Sequence, residues 1–274
     1  MPNIYDNIEQ HLRDAVRDAL AVSYRSDFCI GYFNLRGWKH IDDLIEAFAG
    51  GAGACARVLI GMQPAPADEL TAALRLGATD DGVDQAYVVR TKREYAQRLR
   101  KQLTLGVPTS EDEAALRRLA RQLRAGKVVV KLYLRHALHA KLYLMFRQDP
   151  LNPAIGYVGS SNLTLAGLVK QGELNVDVLD GDAVAKLAQW FEDRWNDRWC
   201  LDISEELARI IEESWAREAL IPPYHIYLKM AYHLSEEARE GMVKFAIPKG
   251  FEVLRKHQRE AVQIAAGKLN RRGG

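Results

Sequence analysis

The stretch from Arg135 to Asp177, RHALHAKLYLMFRQDPLNPAIGYVGSSNLTLAGLVKQGELNVD, constrains the fold more than any other part of the chain. It holds three short apolar runs separated by turn chemistry, the pattern of successive strands. The first carries His139 and Lys141 and runs on through Leu142-Tyr143-Leu144-Met145-Phe146. Asp149-Pro150-Leu151-Asn152-Pro153 is a turn. The second run, Ile155-Gly156-Tyr157-Val158, ends in Gly159-Ser160-Ser161-Asn162-Leu163-Thr164, a small polar turn that reads as the start of a helix. The third, Leu174 to Leu179, follows Glu173 directly. Strand side chains alternate between faces, so a strand carrying His139 and Lys141 points both the same way. Three adjacent strands would bring a His, a Lys, a Ser/Asn turn and a Glu to one end of a sheet.

Those residue types suit phosphate. A neutral imidazole held in one tautomer is a good nucleophile toward phosphorus. Glu173 can accept from its other nitrogen, as the orienting third group of a triad does. Lys141 adds a compact positive charge. The Ser160 hydroxyl, the Asn162 amide and the backbone N–H groups of the turn add donors for phosphate oxygens, and Ser161 and Thr164 offer further hydroxyls. Charge and positioning of this kind can replace a metal, so neither a metal nor any other cofactor is expected. Taken singly the motifs are weak. His-x-Lys in a strand is usually a solvated edge, and GSSN is an ordinary capped turn. Their joint order and spacing carries the specificity.

In that order the residues resemble the signature of the phospholipase D superfamily: His-x-Lys, a spacer, then Gly-Ser-Ser-Asn. GSSNLT followed by a Glu is most similar to the single-motif, nuclease-like branch. The resemblance implies an α/β fold, a mixed sheet flanked by helices. It also implies catalytic roles for His139, Lys141, Asn162 and Glu173 and substrate-binding roles for Ser160, Ser161 and Thr164. The activity implied is that of a metal-independent phosphodiesterase, an endonuclease acting on DNA through a phosphohistidine. The family's Asp, five residues beyond the Lys, is replaced by Phe146, and Asp149 is out of register. Such catalysis needs two histidines, and the chain has no second His-x-Lys; Lys39-His40-Ile41 runs in the wrong order. Single-motif members solve this as homodimers, one motif from each chain facing the other across a two-fold axis. The alternative is a catalytically weakened nucleic-acid-binding and dimerisation module, which Phe146 favours and the retention of the other motif residues disfavours.

Upstream, apolar spacing predicts a helix over Asn7 to Val22, a buried strand over Phe28 to Phe33, a helix over Ile41 to Phe48 and a strand over Arg57 to Gly61. Strand, helix, strand in this arrangement indicates a parallel crossover. Residues 65–126 read as a helical insertion broken at Asp80-Asp81-Gly82 and Gly106-Val107-Pro108. Thr109 or Ser110 followed by Glu111-Asp112-Glu113 is a capped helix start with acids in the first turn. Arg90, Lys92, Arg93, Arg98, Arg100, Lys101, Arg117, Arg118, Arg121, Arg124, Lys127, Lys131 and Arg135 crowd this region, against Glu94 and the three acids of that helix start. The cluster suits a polyanion such as nucleic acid beside the site, and it equally suits solvated helix faces. Helices are predicted over Ala183 to Trp199, Glu205 to Arg217 and Tyr224 to His233.

The expected organisation is a phospholipase D-like nuclease domain over 1–200 and a helical linker over 201–274. YFNLRGW followed by RVLIG resembles the opening of phospholipase D-like domains at the front of some bacterial helicases. Phe251 to Val262 resembles the L-R-x-x-Q-x-x-A segment of superfamily-two helicases, with Gln258 in place, although no GxxxxGK[ST] occurs in the chain. The resemblance implies a C-terminal helicase domain as partner.

Composition excludes little: 27% charged, 48% hydrophobic and a net charge of +2 are ordinary for a globular chain. Cys29, Cys55 and Cys200 are scattered, with no metal-like spacing, as in a reducing compartment. The N-terminus has no signal-peptide pattern, and no apolar run approaches the roughly 20 residues of a membrane span. A cytoplasmic location without membrane association is expected.

Overall fold

The computed structural model describes residues 2–61, 85–104, 108–135, 138–164 and 166–217, with Tyr224, Tyr227, Leu228, residues 230–235, Arg255, His257 and Gln258. Two compact units are distinguished, Met1–Glu218 and Ala219–Gly274. The first is built on one eight-stranded sheet in the order β1-β7-β6-β5-β2-β3-β4-β8. The strands are β1 (Ile4–Tyr5), β2 (Ser23–Ile30), β3 (Ala56–Gly61), β4 (Val128–Tyr133), β5 (Leu142–Arg147), β6 (Ala154–Gly159), β7 (Asn175–Val178) and β8 (Cys200–Asp202). β2 and β3 run parallel, as the crossover reading required, β4 adds to β3 in parallel, and every other pairing is antiparallel.

The central strands are buried on both faces, and the period-two alternation of their side chains decides which core each joins. Phe28 and Ile30 of β2, Val58 and Ile60 of β3 and Tyr143 and Met145 of β5 face one side. There they meet Leu12, Val16 and Leu20 of α1 (Leu12–Ala21), Ile45 of α2 (Asp42–Ile45), Leu116 and Leu119 of α4 (Ser110–Arg124) and Leu207 and Ile211 of α6 (Ser204–Glu212). Leu99 and Leu103 of α3 (Gln85–Thr104) belong to the same core. Cys29, Leu59, Leu142 and Leu144 face the other side, under Val184, Phe191 and Trp195 of α5 (Gly181–Trp195). A charged network is sealed beneath α5. The carboxylate of Asp27, 0% exposed, accepts from Arg57 at 2.6 and 2.7 Å and from Arg25 at 2.7 Å. Arg57 also donates to Glu192 at 2.7 Å and lies over the rings of Phe191 and Trp195.

Several boundaries differ from the expected ones for local reasons. The first helix begins at Leu12, not Asn7. The Asp6 carboxylate turns the chain by accepting from the N–H groups of Ile8 and Glu9, and Asn7, at φ 60°, accepts from Leu12 N at 3.0 Å. The predicted Ile41 to Phe48 helix is a 3-10 turn (Trp38–His40) and the short α2. α5 and α6 end at Trp195 and Glu212. The compact body runs past residue 200 to Glu218, because β8 pairs with β4 and covers what would otherwise be an open edge. Thr109 does cap α4, its hydroxyl accepting from Asp112 N at 3.1 Å.

Most of the crowded cations are paired within the fold. Lys92, Arg100 and Arg124 tie α3 and α4 to Glu206, Glu213 and Glu212 of the α6 region at 2.7 Å each, Arg118 reaches Asp42 at 3.1 Å and Arg135 reaches Asp197 at 2.9 Å. Arg93, Arg98 and Lys101 remain exposed along α3. No described helix is long and apolar enough to cross a membrane. The helical insertion is described from Gln85 onward and residues 62–84 lie outside the described residues. Tyr224, Tyr227, Leu228 and 230–235 are helical, and the helicase-like tail is described only at Arg255, His257 and Gln258.

Candidate active site

β2 and β6 end, and β5 and β7 begin, at one edge of the sheet, because β5 is antiparallel to β2 and β6 and β7 is antiparallel to β6. Gly31 and Tyr32 leave β2 there. The turn Ser160 to Thr164 leaves β6, and Glu173 enters β7. His139 and Lys141 precede β5, which starts only at Leu142. The expected strand through His139 is cut short because the chain bends across the end of β3. There the Leu138 carbonyl occupies the place of a side chain at Gly61: a β-carbon at Gly61 would lie 1.7 Å from that oxygen. The glycine is therefore required by close approach. Lys141 still belongs to the edge, its carbonyl accepting from Gly159 N at 3.3 Å.

Gly31 marks where the site residues converge. A methyl group there would lie 3.3 Å from Asn162 Oδ1, 3.5 Å from His139 Cδ2 and 3.5 Å from Lys141 Nζ. The Asn162 oxygen accepts from Gly31 N at 3.0 Å and Tyr32 N at 3.1 Å, which leaves the Nδ2 hydrogens as the amide's donors for a ligand. Lys141 is 6% exposed, and its ammonium donates to the His139 carbonyl at 2.9 Å and lies 3.0 Å from His139 Nδ1. Burial lowers the Lys141 pKa from its ordinary 10.5, and nearby Glu173 acts in the opposite sense. The His139 side chain is exposed.

The predicted orienting contact is not made in this structure: the Glu173 carboxylate accepts from Ser160 Oγ, while His139 Nδ1 faces Lys141. Ser160 is exposed and its hydroxyl also accepts from Leu174 N at 3.0 Å. Two of the expected substrate-binding hydroxyls are engaged elsewhere. Ser161 is 0% exposed, with its Oγ accepting from Asn175 Nδ2 at 2.8 Å and its carbonyl accepting from Tyr143 OH at 2.9 Å. These bonds pin the turn to β5 and β7. The Thr164 hydroxyl accepts from Gly167 N at 2.9 Å, capping the short π-helical turn Ala166–Lys170. Gly159 is needed for the same packing, since a β-carbon there would lie 2.2 Å from the Leu174 carbonyl.

Phe146 lies at the opposite end of β5, where Arg25 sits 4.5 Å over its ring, and Asp149 accepts from Leu151 N in the hairpin beyond. At roughly 3.3 Å per strand residue, position 146 is about 17 Å from Lys141. Gly31 and Tyr32 escaped the sequence reading as site residues. The available signal was an isolated Gly in a strand pattern, which marks a bulge or a close backbone approach.

The model of the family described as "Cardiolipin synthase, PLD-like domain" matches residues 23–195. No curated protein matches the chain. Among solved structures the chain is similar to Nuc from Salmonella typhimurium, described as a phospholipase D family member, at 14% identity, covering 74% of this chain and 97% of that one with a TM-score of 0.41. NucT from Helicobacter pylori is similar at 9% identity over 74% and 98%, TM-score 0.40. TrmBL2, an archaeal chromatin protein, is similar at 10% over 71% and 51%, TM-score 0.35. The family match runs from the start of β2 to the end of α5 and contains every residue that converges on Gly31, and the chain belongs to the phospholipase D-like domain family.

Proposed function

We propose that the protein is a metal-independent phosphodiesterase, a nuclease that cleaves DNA through a phosphohistidine. The observation that carries this reading is the convergence of His139, Lys141 and Asn162 around Gly31 at one sheet edge. Lys141 and the Asn162 amide would hold the phosphate oxygens and stabilise the charge that grows on them. The ammonium that now faces His139 Nδ1 would turn to the phosphate, and the neutral ring would exchange tautomer through solvent, losing the proton on Nε2 and taking one on Nδ1, so that the Nε2 lone pair is free. Nε2 attacks phosphorus, forming the P–N bond as the P–O bond to the leaving group breaks. The leaving oxygen takes a proton from a second imidazolium. Water then attacks phosphorus, gives its proton back to that second imidazole and breaks the P–N bond, which returns both histidines to their starting states.

The chain has one His-x-Lys, so the second imidazole is assigned to the partner's His139 in a homodimer whose two sites face across a two-fold axis. Glu173 and Ser160 would then complete the rim of the composite site, with Glu173 as the acceptor for a protonated Nδ1 once Lys141 has moved. The reading as a weakened binding module loses its main support, because Phe146 packs at the far end of β5 and touches none of the converging groups. The resemblance of YFNLRGW and of the Gln258 segment to helicase-linked proteins supports a place as the nuclease module, over the first unit, ahead of a helicase domain.

Cleavage of labelled DNA in excess EDTA, with His139→Ala in parallel, tests the reaction. Cutting that survives EDTA and disappears in His139→Ala is expected. Cutting by both proteins alike, or its abolition by EDTA, rejects the histidine mechanism.

A further inference from the structure

Tyr32 follows Gly31 directly at the point of convergence, and its side chain is 50% exposed. Its placement is rigid on both sides. Its own N–H is fixed to Asn162 Oδ1 at 3.1 Å. The next carbonyl, that of Phe33, accepts from Gln102 Nε2 at 3.0 Å, and Leu35 N donates to Gln102 Oε1 at 3.2 Å. Gln102 thereby binds the segment after β2 to α3, so α3 borders the site. Elsewhere on α3 the Tyr95 hydroxyl is pushed up by burial and, secondarily, by Tyr32, with Arg98 acting against it. Arg93, Arg98 and Lys101 lie exposed on that helix. Burial also raises the Tyr32 phenol above its ordinary 10.0, so at neutral pH it offers an uncharged ring.

An exposed ring whose backbone is anchored at a phosphate site, with cations on the bordering helix, is the combination that binds single strands: aromatic faces stack on bases while cations follow the backbone. Bases in a duplex hide their faces in the stack and offer no partner to Tyr32 without being extruded. We propose that Tyr32 is the stacking platform for an unpaired base next to the scissile phosphate, and that the site therefore selects single-stranded DNA over duplex. This rests on the nuclease reading above.

The test is equilibrium binding in the non-cleaving His139→Ala background, by fluorescence anisotropy. Three probes of equal length are compared: a single-stranded oligodeoxynucleotide, its duplex, and a strand of abasic deoxyribose phosphates. Tyr32→Ala is expected to weaken the single strand about tenfold and Tyr32→Phe by less than about twofold, given the usual strength of base–aromatic stacking. Tyr32→Ala should leave the abasic strand and the duplex within about twofold of the parent, since neither presents a free base face. Equal losses on all three probes would mean that Tyr32 only shapes the site, and no loss on the single strand would mean that it stacks on nothing; either overturns the proposal. Tyr32→Leu, which keeps a large apolar side chain, replaces Tyr32→Ala should the latter fail to fold. EDTA-resistant cleavage that shows no strand preference refutes the role of Tyr32 alone, whereas absent cleavage with intact strand discrimination refutes the reaction alone.

Discussion

Lys141 shows how a single side chain is tuned by its place. Near-complete burial disfavours its ammonium, and the neighbouring Glu173 opposes that effect. The sign for activity follows directly: the phosphate needs the charged form, and charge is lost as pH rises through the lowered pKa. The alkaline limb of kcat/KM is therefore expected below pH 10.5, the ordinary lysine value. Lys141→Met should lower kcat/KM by about 100-fold to 1000-fold, as loss of one preorganised charge-stabilising group does. A steady-state pH profile checks both. His139, Lys141 and Asn162 were legible as residues because their types and order carry the chemistry. Ser161 and Thr164 were less legible, because a hydroxyl in a polar turn serves a ligand or a backbone group equally well, and in the structure theirs meet Asn175 and Gly167.

At the scale of elements, the site depends on where strands stop. β5 starts after Lys141, and the bend before it exists because Gly61 ends β3 without a side chain. Gly61→Ala should push the Leu138 to Lys141 segment off its position. A displacement of about 1 Å at reacting groups costs on the order of 100-fold in rate, and assays of the refolded variant would read it. The network under α5 belongs to the same scale. Arg57→Met leaves the fully buried Asp27 with Arg25 alone, and a loss of about 3 kcal/mol in urea unfolding is expected. The guanidinium of Arg57 also holds the Glu192 carboxyl below its usual range. That stabilisation is present above the ordinary glutamate pKa of 4.5 and lost as pH falls through the lowered value, so Arg57→Met should flatten the acid side of the stability profile. The strands themselves were readable from period-two patterning. The shortened helices were not, since capping by Asp6 and Asn7 overrides the apolar spacing that extends α1 backward.

For the whole molecule, the composite-site proposal makes a stoichiometric prediction. Chains of wild type and His139→Ala mixed in equal amounts and re-equilibrated should retain about a quarter of the wild-type activity, because only pairs of wild-type chains supply both histidines across the two-fold axis. Retention of half would show that each chain works alone and end the dimer mechanism. The sequence by itself determined the strand-rich stretch, the parallel crossover, the capped α4 and the family motif that supplies the candidate site, since each is written in local periodicity or in the types and spacing of side chains. Only the tertiary structure decided that Gly31 and Tyr32, more than a hundred residues away from Asn162 in sequence, stand against its amide. It likewise decided that Phe146 is remote from the site and that most of the basic cluster is paired with acids within the fold, three of its members with the α6 region. The physical reason is common to all three: strand order and ion pairing across long sequence separations depend on how the packed layers meet, and no local pattern records that.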